Sequence, residues 1–312
     1  MTSPNIASWT INGLVTAPVT PFNENGNVNF DLFDSYAGQI KDHGIKNLFV
    51  NGTTGEALSM TVDERKSVAE KWMEVGKSRF EKIIVHVGTG NYMESMQLAK
   101  HAESIGADGI ACVAPSYLIP LRMEDYVNYI AKVASAAPNT AFFLYDINFL
   151  TGINLSVTEF FKKAKSQIPT LKGLKHTSPQ LDSIHRVLTD HPDMIMMMGT
   201  NDLFLEGLVL GCKTTICDSF LGHVLSNTKE AFDKGDVGRA RACQKRALDL
   251  MTVRRQMELT VPGGSKAILR CLGLAVGQPR LPVAPMTESE ENLLKEFLKE
   301  IGFFEWYMEK LQ

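Results

Sequence analysis

Lys175 and Tyr145 each stand at the end of a short apolar segment. Burial disfavours the charged form of a lysine and lowers its pKa, and a neutral lysine amine is the side chain best suited to attack a ketone and form an imine. A phenol relays a proton when an acid or a second hydroxyl lies beside it. The two residues therefore predict covalent imine chemistry with proton transfer. A lysine that reaches solvent and a core tyrosine would give the same pattern.

The segment Gly52-Thr53-Thr54-Gly55-Glu56 follows another apolar run. Its backbone N–H groups and two hydroxyls, in a tight turn before a helix, predict a cradle for a small carboxylate. A plain turn with helix-starting threonines would have the same sequence. No Gly-Lys-Ser/Thr follows, which excludes a Walker loop. Glu56 could be a general base, but we expect it to be a structural acid that is hydrogen-bonded beneath the loop.

Further polar residues follow other apolar runs, and we expect them to share one cavity with the residues above. Thr177 comes after Lys175, and Gly199, Asn201 and Asp202 come after the methionine run. His176 adjoins Lys175, so alternation along a strand should turn it to the opposite face, where we predict a packing role.

The elements that must position these residues alternate between short strands and amphipathic helices. The predicted strands are short and apolar on both faces, as a parallel sheet covered on both sides requires; they span residues 13–19, 47–51, 83–87, 109–114, 141–147, 170–175, 194–198 and 214–218. Thr61 with Glu64 predicts a capping box, Asn91 a helix start and Gly106 a helix end.

Eight strand–helix units predict an α/β fold, a closed (β/α)8 TIM barrel over residues 11–235. A doubly wound open sheet is the alternative, but the Gly-x-Gly-x-x-Gly turn of its dinucleotide-binding members is absent. Three further helices, at 239–259, 265–272 and 288–310, predict a C-terminal helical extension over residues 236–312. We interpret residues 1–312 as a single domain, with the active residues at the carboxyl ends of the strands.

Composition narrows the classes of function. A formal charge of -3 without a basic stripe argues against nucleic acid and membrane partners. Five cysteines without a Cys-x-x-Cys pair fit reduced thiols, and the seven histidines show no zinc-binding arrangement. Residues 1–10 lack the apolar run of a signal peptide. We therefore expect a cytoplasmic protein that binds no metal.

Taken together, these motifs resemble those of the N-acetylneuraminate lyase and dihydrodipicolinate synthase family of class I, pyruvate-dependent aldolases. The resemblance rests on the Gly52–Glu56 loop, on Leu58-Ser59 through Glu64-Arg65, on Tyr145 with Thr151-Gly152, and on Gly173-Leu174-Lys175. It extends from about Gly13 to the C-terminal helices. Within the family the chain is most similar to the animal lyases, in segments 46–56, 105–110 and 279–282.

This resemblance implies a lyase that splits N-acetylneuraminate, or a related sialic acid, into pyruvate and N-acetylmannosamine or the corresponding hexose. Lys175 would form the imine, Tyr145 would take the proton from the C4 hydroxyl, and Thr53 and Thr54 would bind the carboxylate. No cofactor is implied. The partner would be a small 2-oxo acid or sugar acid, and the assembly a homotetramer.

The chain departs from the lyase pattern where the distal part of a substrate would bind. Asn148 stands in Tyr145-Asp146-Ile147-Asn148 where the family has a proline nearby, and Asn201-Asp202 replace an Asp-Glu pair. Asp218 stands where a neutral hydroxyl is usual, and a buried carboxylate must meet a donor, which a substrate could supply.

Two other functions therefore stay open at this stage. One is an aldolase or dehydratase for another 2-oxo-3-deoxy or 4-hydroxy-2-oxo acid. A tricarboxylate-like or semialdehyde substrate would call for a pocket arginine, and the nearest candidate, Arg122, stands at a helix start. The other is a non-catalytic sugar-acid binder, against which the presence of both Lys175 and Tyr145 argues.

Overall fold

The chain folds into a closed eight-stranded parallel barrel with helices on its outside, which confirms the predicted TIM barrel and excludes the open sheet. The computed structural model describes residues 4–309. Neighbouring strands pair in chain order, and β1 pairs with β8 to close the barrel. The strands are β1 Val15–Thr16, β2 Asn47–Val50, β3 Lys82–His86, β4 Gly109–Val113, β5 Ala141–Asp146, β6 Leu171–His176, β7 Ile195–Met198 and β8 Thr214–Cys217.

Side-chain alternation along each strand divides the buried residues into two layers. Phe143 and Tyr145 on β5 belong to the cluster inside the barrel. Phe142 and Leu144 belong to the larger cluster between the barrel and its helices. Trp9, from the segment before β1, packs its ring at a tilt against Phe143, with ring centroids 4.9 Å apart, and so lies in the interior of the barrel.

The helices alternate with the strands as the sequence predicts. Those before the C-terminal extension are α1 Pro4–Ala7, α2 Phe33–Asp42, α3 Val62–Gly76, α4 Tyr92–Ser104, α5 Met123–Ala134, α6 Asn148–Thr151, α7 Val157–Ala164, α8 Leu181–Asp190, α9 Phe204–Val209 and α10 Gly222–Asp233. The extension consists of α11 Val237–Gln256, α12 Val261–Cys271, α13 Glu288–Glu300 and α14 Phe303–Met308.

Local capping chemistry explains where the predicted helices begin and end. Thr61 and Glu64 form the predicted capping box at the start of α3, each side chain bonding the other's backbone N–H. The Asn91 side chain accepts the N–H of Met93 at the start of α4. Gly106 follows α4 with φ of 76°, a conformation that favours glycine.

The C-terminal extension differs from the prediction of three helices. The single helix predicted over residues 288–310 is wrong, because Gly302, with φ of 66°, separates α13 from α14. Residue 310 itself lies outside the described residues. The helix predicted from residue 265 begins earlier, at Val261, because the Thr260 side chain caps it and Pro262 occupies its first turn.

The strand bounds also differ from the predicted ones, and the difference at β8 affects the site. β1 contains only Val15 and Thr16 of the predicted segment. β8 ends at Cys217, so Asp218 is the first residue of the following loop. Within residues 4–309, no helix is long and apolar enough to cross a membrane.

Candidate active site

A cavity of about 580 Å³ lies among the loops that follow the strands. All nine residues that the sequence singled out for catalysis or binding line this one cavity: Thr53, Thr54, Tyr145, Lys175, Thr177, Gly199, Asn201, Asp202 and Asp218. They come from the ends of β2, β5, β6, β7 and β8, where a barrel of this type carries its chemistry.

Lys175 lies in an apolar setting that favours its neutral amine. Its side chain is 5% exposed, and its Nζ lies 4.1 Å from the ring centroids of both Phe49 and Tyr145. Burial lowers the pKa of Lys175 to about 7, although the negative charge of Asp218 opposes the shift. With this pKa, about half of the amine is neutral and able to act as a nucleophile at neutral pH.

Tyr145 occupies the position on β5 that pairs in register with Lys175 on β6. Its hydroxyl lies 3.0 Å from the hydroxyl of Thr53, in the loop after β2. Burial raises the pKa of Tyr145 to about 12, even though its contacts with Thr53 and Thr177 favour ionisation. Tyr145 is therefore a neutral phenol, able to relay a proton through a neighbouring hydroxyl.

The Gly52–Glu56 loop is held from below by groups that do not face the cavity. Its first support is Asn51, whose backbone has φ of 57°; the carbonyl of Asn51 accepts the Nδ1–H of His86 at 2.7 Å, and its amide donates to the carbonyl of Arg65. Burial keeps the His86 imidazole neutral and its pKa well below 6.5. In this neutral form Nδ1 donates to Asn51, and Nε2 accepts the N–H of Val113.

Glu56 lies beneath the loop, as the sequence predicts. Its carboxylate meets the ammonium of Lys266, on α12, at 2.6 Å and accepts the backbone N–H of Arg280 at 2.8 Å. The side chains of Glu56 and Lys266 are 1% and 0% exposed. The C-terminal extension thus supports the loop that carries Thr53 and Thr54.

His176 points away from the barrel interior, opposite to Lys175, as alternation predicts. Its two ring nitrogens lie 2.7 Å from a carboxylate oxygen of Asp146 and 2.7 Å from the hydroxyl of Ser183. These bonds tie β5, β6 and α8 together. His176 does not line the cavity.

The sequence predicts that a buried Asp218 must meet a donor, and the protein supplies three. The carboxylate accepts hydrogen bonds from Arg254 at 2.9 Å, from Asn201 at 3.0 Å and from Ser265 at 2.7 Å. Asp202, at the rim, forms an ion pair with Arg255 at 3.0 Å.

The cavity is also lined by two arginines that the sequence did not predict to lie there, Arg254 and Arg255. Arg122, the only candidate named from the sequence, is exposed and pairs with Asp125. Arg254 and Arg255 lie in the last turn of α11, beside Asp202 and Asp218, and reach the cavity from there. Two adjacent arginines at a helix end are the signal that could have drawn attention to them. Within residues 4–309, no group of three or more His, Cys, Asp or Glu side chains could hold a metal ion.

The sequence profile of the Dihydrodipicolinate synthetase family matches residues 10–301. The chain belongs to this family. The N-acetylneuraminate lyase of Homo sapiens is 34% identical over 304 residues, which cover 94% of this chain and 93% of that protein. The N-acetylneuraminate lyase of Mus musculus is 33% identical over 299 residues, which cover 94% and 93%.

Solved structures of the family share the whole architecture. The Proteus mirabilis N-acetylneuraminate lyase has a TM-score of 0.89 at 26% identity, covering 95% of this chain and 100% of that one. The sialic acid aldolase of Ruminococcus gnavus has a TM-score of 0.88 at 26% identity, covering 95% and 98%. The family therefore accounts for the barrel together with its extension, which confirms the predicted resemblance.

Proposed function

We propose that this protein is a class I aldolase, a carbon–carbon lyase that cleaves N-acetylneuraminate or a related sialic acid to pyruvate and N-acetylmannosamine or the corresponding hexose. The observation that carries the proposal is the pairing of Lys175, a buried amine with a pKa of about 7, with the phenol of Tyr145 in one cavity. The relatives named N-acetylneuraminate lyase support the choice of substrate.

Lys175 begins the reaction through its neutral amine, which adds to the C2 ketone of the open-chain sugar acid. The carbinolamine loses water and becomes a protonated imine. This cation then accepts the electron pair of the C3–C4 bond, and the nitrogen becomes the neutral nitrogen of an enamine. The enamine takes a proton at C3, and water hydrolyses the resulting imine to release pyruvate and restore Lys175.

Tyr145 removes the proton of the C4 hydroxyl as the C3–C4 bond breaks and the aldehyde forms. Because burial keeps the phenol neutral, it accepts that proton while it passes its own proton on, and the Thr53 hydroxyl at 3.0 Å is the adjacent group in the structure. The role of Tyr145 is therefore a relay, in which no free phenolate accumulates.

Thr53 and Thr54 bind the carboxylate of the substrate through the loop that Glu56, Lys266 and His86 support from below. Both threonines line the cavity with Lys175, so a carboxylate held there leaves its C2 carbon near the amine. Holding the reacting carbon near the nucleophile is itself a large part of catalysis.

The test is release of pyruvate from N-acetylneuraminate by the purified protein, beside Lys175→Ala. Lys172→Ala is the matched control, because Lys172 lies on the same strand but donates to the carbonyl of Ala7, outside the cavity. We expect release by the wild type and the control only. Borohydride reduction in the presence of pyruvate should leave a reduced adduct on Lys175, and its absence would reject the aldolase mechanism.

We further propose that the protein is a cytoplasmic homotetramer. Large apolar side chains on the loop after β4 support self-association, since Tyr117 is 93% exposed, Leu118 80% and Leu121 81%. The five free cysteines support a reducing compartment. Light scattering coupled to gel filtration measures the mass, and a monomer would contradict the tetramer.

A further inference from the structure

Asp218 is the centre of a buried polar cluster at the end of the cavity formed by β7, β8 and α11. One carboxylate oxygen accepts from the guanidinium of Arg254 and from the side-chain amide of Asn201, and the other accepts from the hydroxyl of Ser265. The side chains of Asp218 and Arg254 are 6% and 8% exposed. A buried carboxylate with three donors is a strongly fixed group.

This cluster fixes the orientation of Asn201. Its amide nitrogen must face Asp218, because its carbonyl oxygen in that place would meet another acceptor. The backbone carbonyl of Asn201 is held by Gln244 at 2.8 Å. The side-chain oxygen of Asn201 is therefore turned elsewhere, and it is buried without a partner in the described part of the chain, as is the hydroxyl oxygen of Thr200 beside it. Both residues line the cavity.

The same cluster neutralises Arg254. One end of its guanidinium pairs with Asp218, and the other donates to the carbonyl of Val261 at 2.9 Å. The neighbouring Arg255 pairs with Asp202. Each cavity arginine thus already has a carboxylate partner, so a second anionic group on a ligand would have to compete with Asp218 or Asp202 for its cation.

We propose that Asp218 determines the specificity of this end of the cavity: by presenting the Asn201 oxygen as an acceptor and by neutralising Arg254, it selects 2-oxo acids with an uncharged, donor-rich tail and rejects those with a second carboxylate. The inference rests on the proposed aldolase function and assigns to Asp218 the control of its specificity at this end of the cavity. A hydroxyl or an amide N–H of the tail satisfies the unpaired side-chain oxygen of Asn201, which can only accept. A carboxylate offers that oxygen no donor and is repelled by Asp218.

The test compares borohydride trapping on Lys175 by two 2-oxo acids that differ in their tails: 2-oxo-3-deoxygluconate, whose tail is polyhydroxylated, and 2-oxoglutarate, whose tail is a carboxylate. Each concentration dependence is expressed relative to pyruvate, which has no tail. The negative charge of Asp218 raises the pKa of Lys175. Dividing by the value for pyruvate cancels the change in amine reactivity that any substitution of Asp218 causes. We expect the wild type to favour the polyhydroxylated acid.

Asp218→Asn should improve the relative trapping of 2-oxoglutarate at least about tenfold, because Arg254 becomes available to the tail. Asp249→Asn is the matched control: Asp249 also lies on α11 and pairs with Lys245 at the surface, so its loss should leave the ratio unchanged. The combined Asp218→Asn and Arg254→Gln variant should lose the gain. An unchanged ratio in Asp218→Asn that still traps pyruvate would overturn the inference.

Asn201→Ala provides a second arm if Asp218→Asn fails to fold. It removes the acceptor and keeps the ion pair, so the advantage of 2-oxo-3-deoxygluconate should disappear without any gain for 2-oxoglutarate. A retained advantage would reject the role of Asn201. Trapping does not require cleavage, so the tail preference can be measured even if the protein leaves N-acetylneuraminate intact. A protein that traps pyruvate but does not cleave N-acetylneuraminate would reject the proposed lyase activity alone. Trapping of none of the acids would reject both the aldolase function and the tail preference.

Discussion

The hydroxyl of Thr53 lies 3.0 Å from the hydroxyl of Tyr145, so the loop after β2 and the end of β5 share one hydrogen bond inside the cavity. This contact joins the residue expected to bind the carboxylate to the residue expected to move the proton. Burial holds the Tyr145 pKa at about 12, so the phenol exchanges protons with a neighbour and does not store a charge.

Tyr145→Phe removes this relay and leaves Lys175 in place. We expect pyruvate trapping on Lys175 to continue while the rate of sialic acid cleavage falls about a hundredfold to ten-thousandfold, the usual contribution of a positioned acid or base. Tyr129→Phe is the control, because the Tyr129 hydroxyl donates to the backbone of Thr89 outside the cavity. Equal cleavage by wild type and Tyr145→Phe would remove Tyr145 from the mechanism.

The barrel could be predicted from sequence because its information is local. Each strand is a short apolar run, and signals such as the Thr61–Glu64 capping box and Gly106 mark the helix ends. The rule that chemistry lies at the carboxyl ends of the strands then placed all nine candidate residues, Lys175 and Tyr145 among them, in one cavity. Their chemical roles remain predictions.

The contacts around Asp218, at the end of the cavity formed by β7, β8 and α11, could not be predicted in the same way because they join residues that are far apart in the sequence. The sequence predicts that a buried Asp218 must meet a donor but does not identify it; Arg254 and Ser265 reach it from α11 and α12. Nothing in the local sequence states which side of the barrel an added helix covers. The break at Gly302 was missed for a different reason, since a single glycine in an amphipathic pattern does not by itself end a helix.

The pKa of Lys175 predicts how imine formation depends on pH. With a pKa of about 7, the neutral fraction of the amine rises about tenfold per pH unit below 7 and levels off above it. The rate of borohydride-trapped adduct formation with pyruvate should follow that curve between mildly acidic and mildly alkaline pH. A rate that keeps rising toward 10.5, the ordinary lysine value, would show that the amine is not desolvated.

His43 predicts a loss of stability in acid. Burial, with the neighbouring His223, lowers the pKa of His43 to about 4 from 6.5, and its ring stacks on Tyr307 of α14 at 4.3 Å. Below pH 6.5, His43 binds a proton in the unfolded chain but remains neutral in the folded protein. Its contribution therefore lowers the stability as the pH falls from 6.5 to 4 and has no effect above pH 6.5. The loss should be about 1–2 kcal/mol, because His43 is partly exposed.

Urea unfolding across this pH range measures the effect. His43→Phe keeps an aromatic ring against Tyr307 and should flatten the pH dependence, whereas His185→Phe, at an exposed position of α8, should not. Parallel pH profiles for wild type and His43→Phe would contradict the prediction.

The buried ion pair between Glu56 and Lys266 predicts that removing one partner lowers the free energy of unfolding more than removing both charges. The ammonium of Lys266 lies 2.6 Å from the Glu56 carboxylate and 3.8 Å from the Phe22 ring centroid, and burial lowers the Lys266 pKa to about 8. Lys266→Met leaves a buried carboxylate without its cation, which should cost about 3–5 kcal/mol in urea unfolding. Combining it with Glu56→Gln should recover much of that loss, because no buried charge is then left unpaired.

An exposed ion pair supplies the comparison for this experiment. Lys71 and Glu74 meet at 2.8 Å on the surface of α3, so Lys71→Met should change stability by less than about 1 kcal/mol. Because Glu56 also holds the loop of Thr53 and Thr54, the double variant should trap pyruvate only at higher concentrations even when it is folded. A Lys266→Met protein as stable as Lys71→Met would mean that water, and not Lys266, satisfies the Glu56 carboxylate.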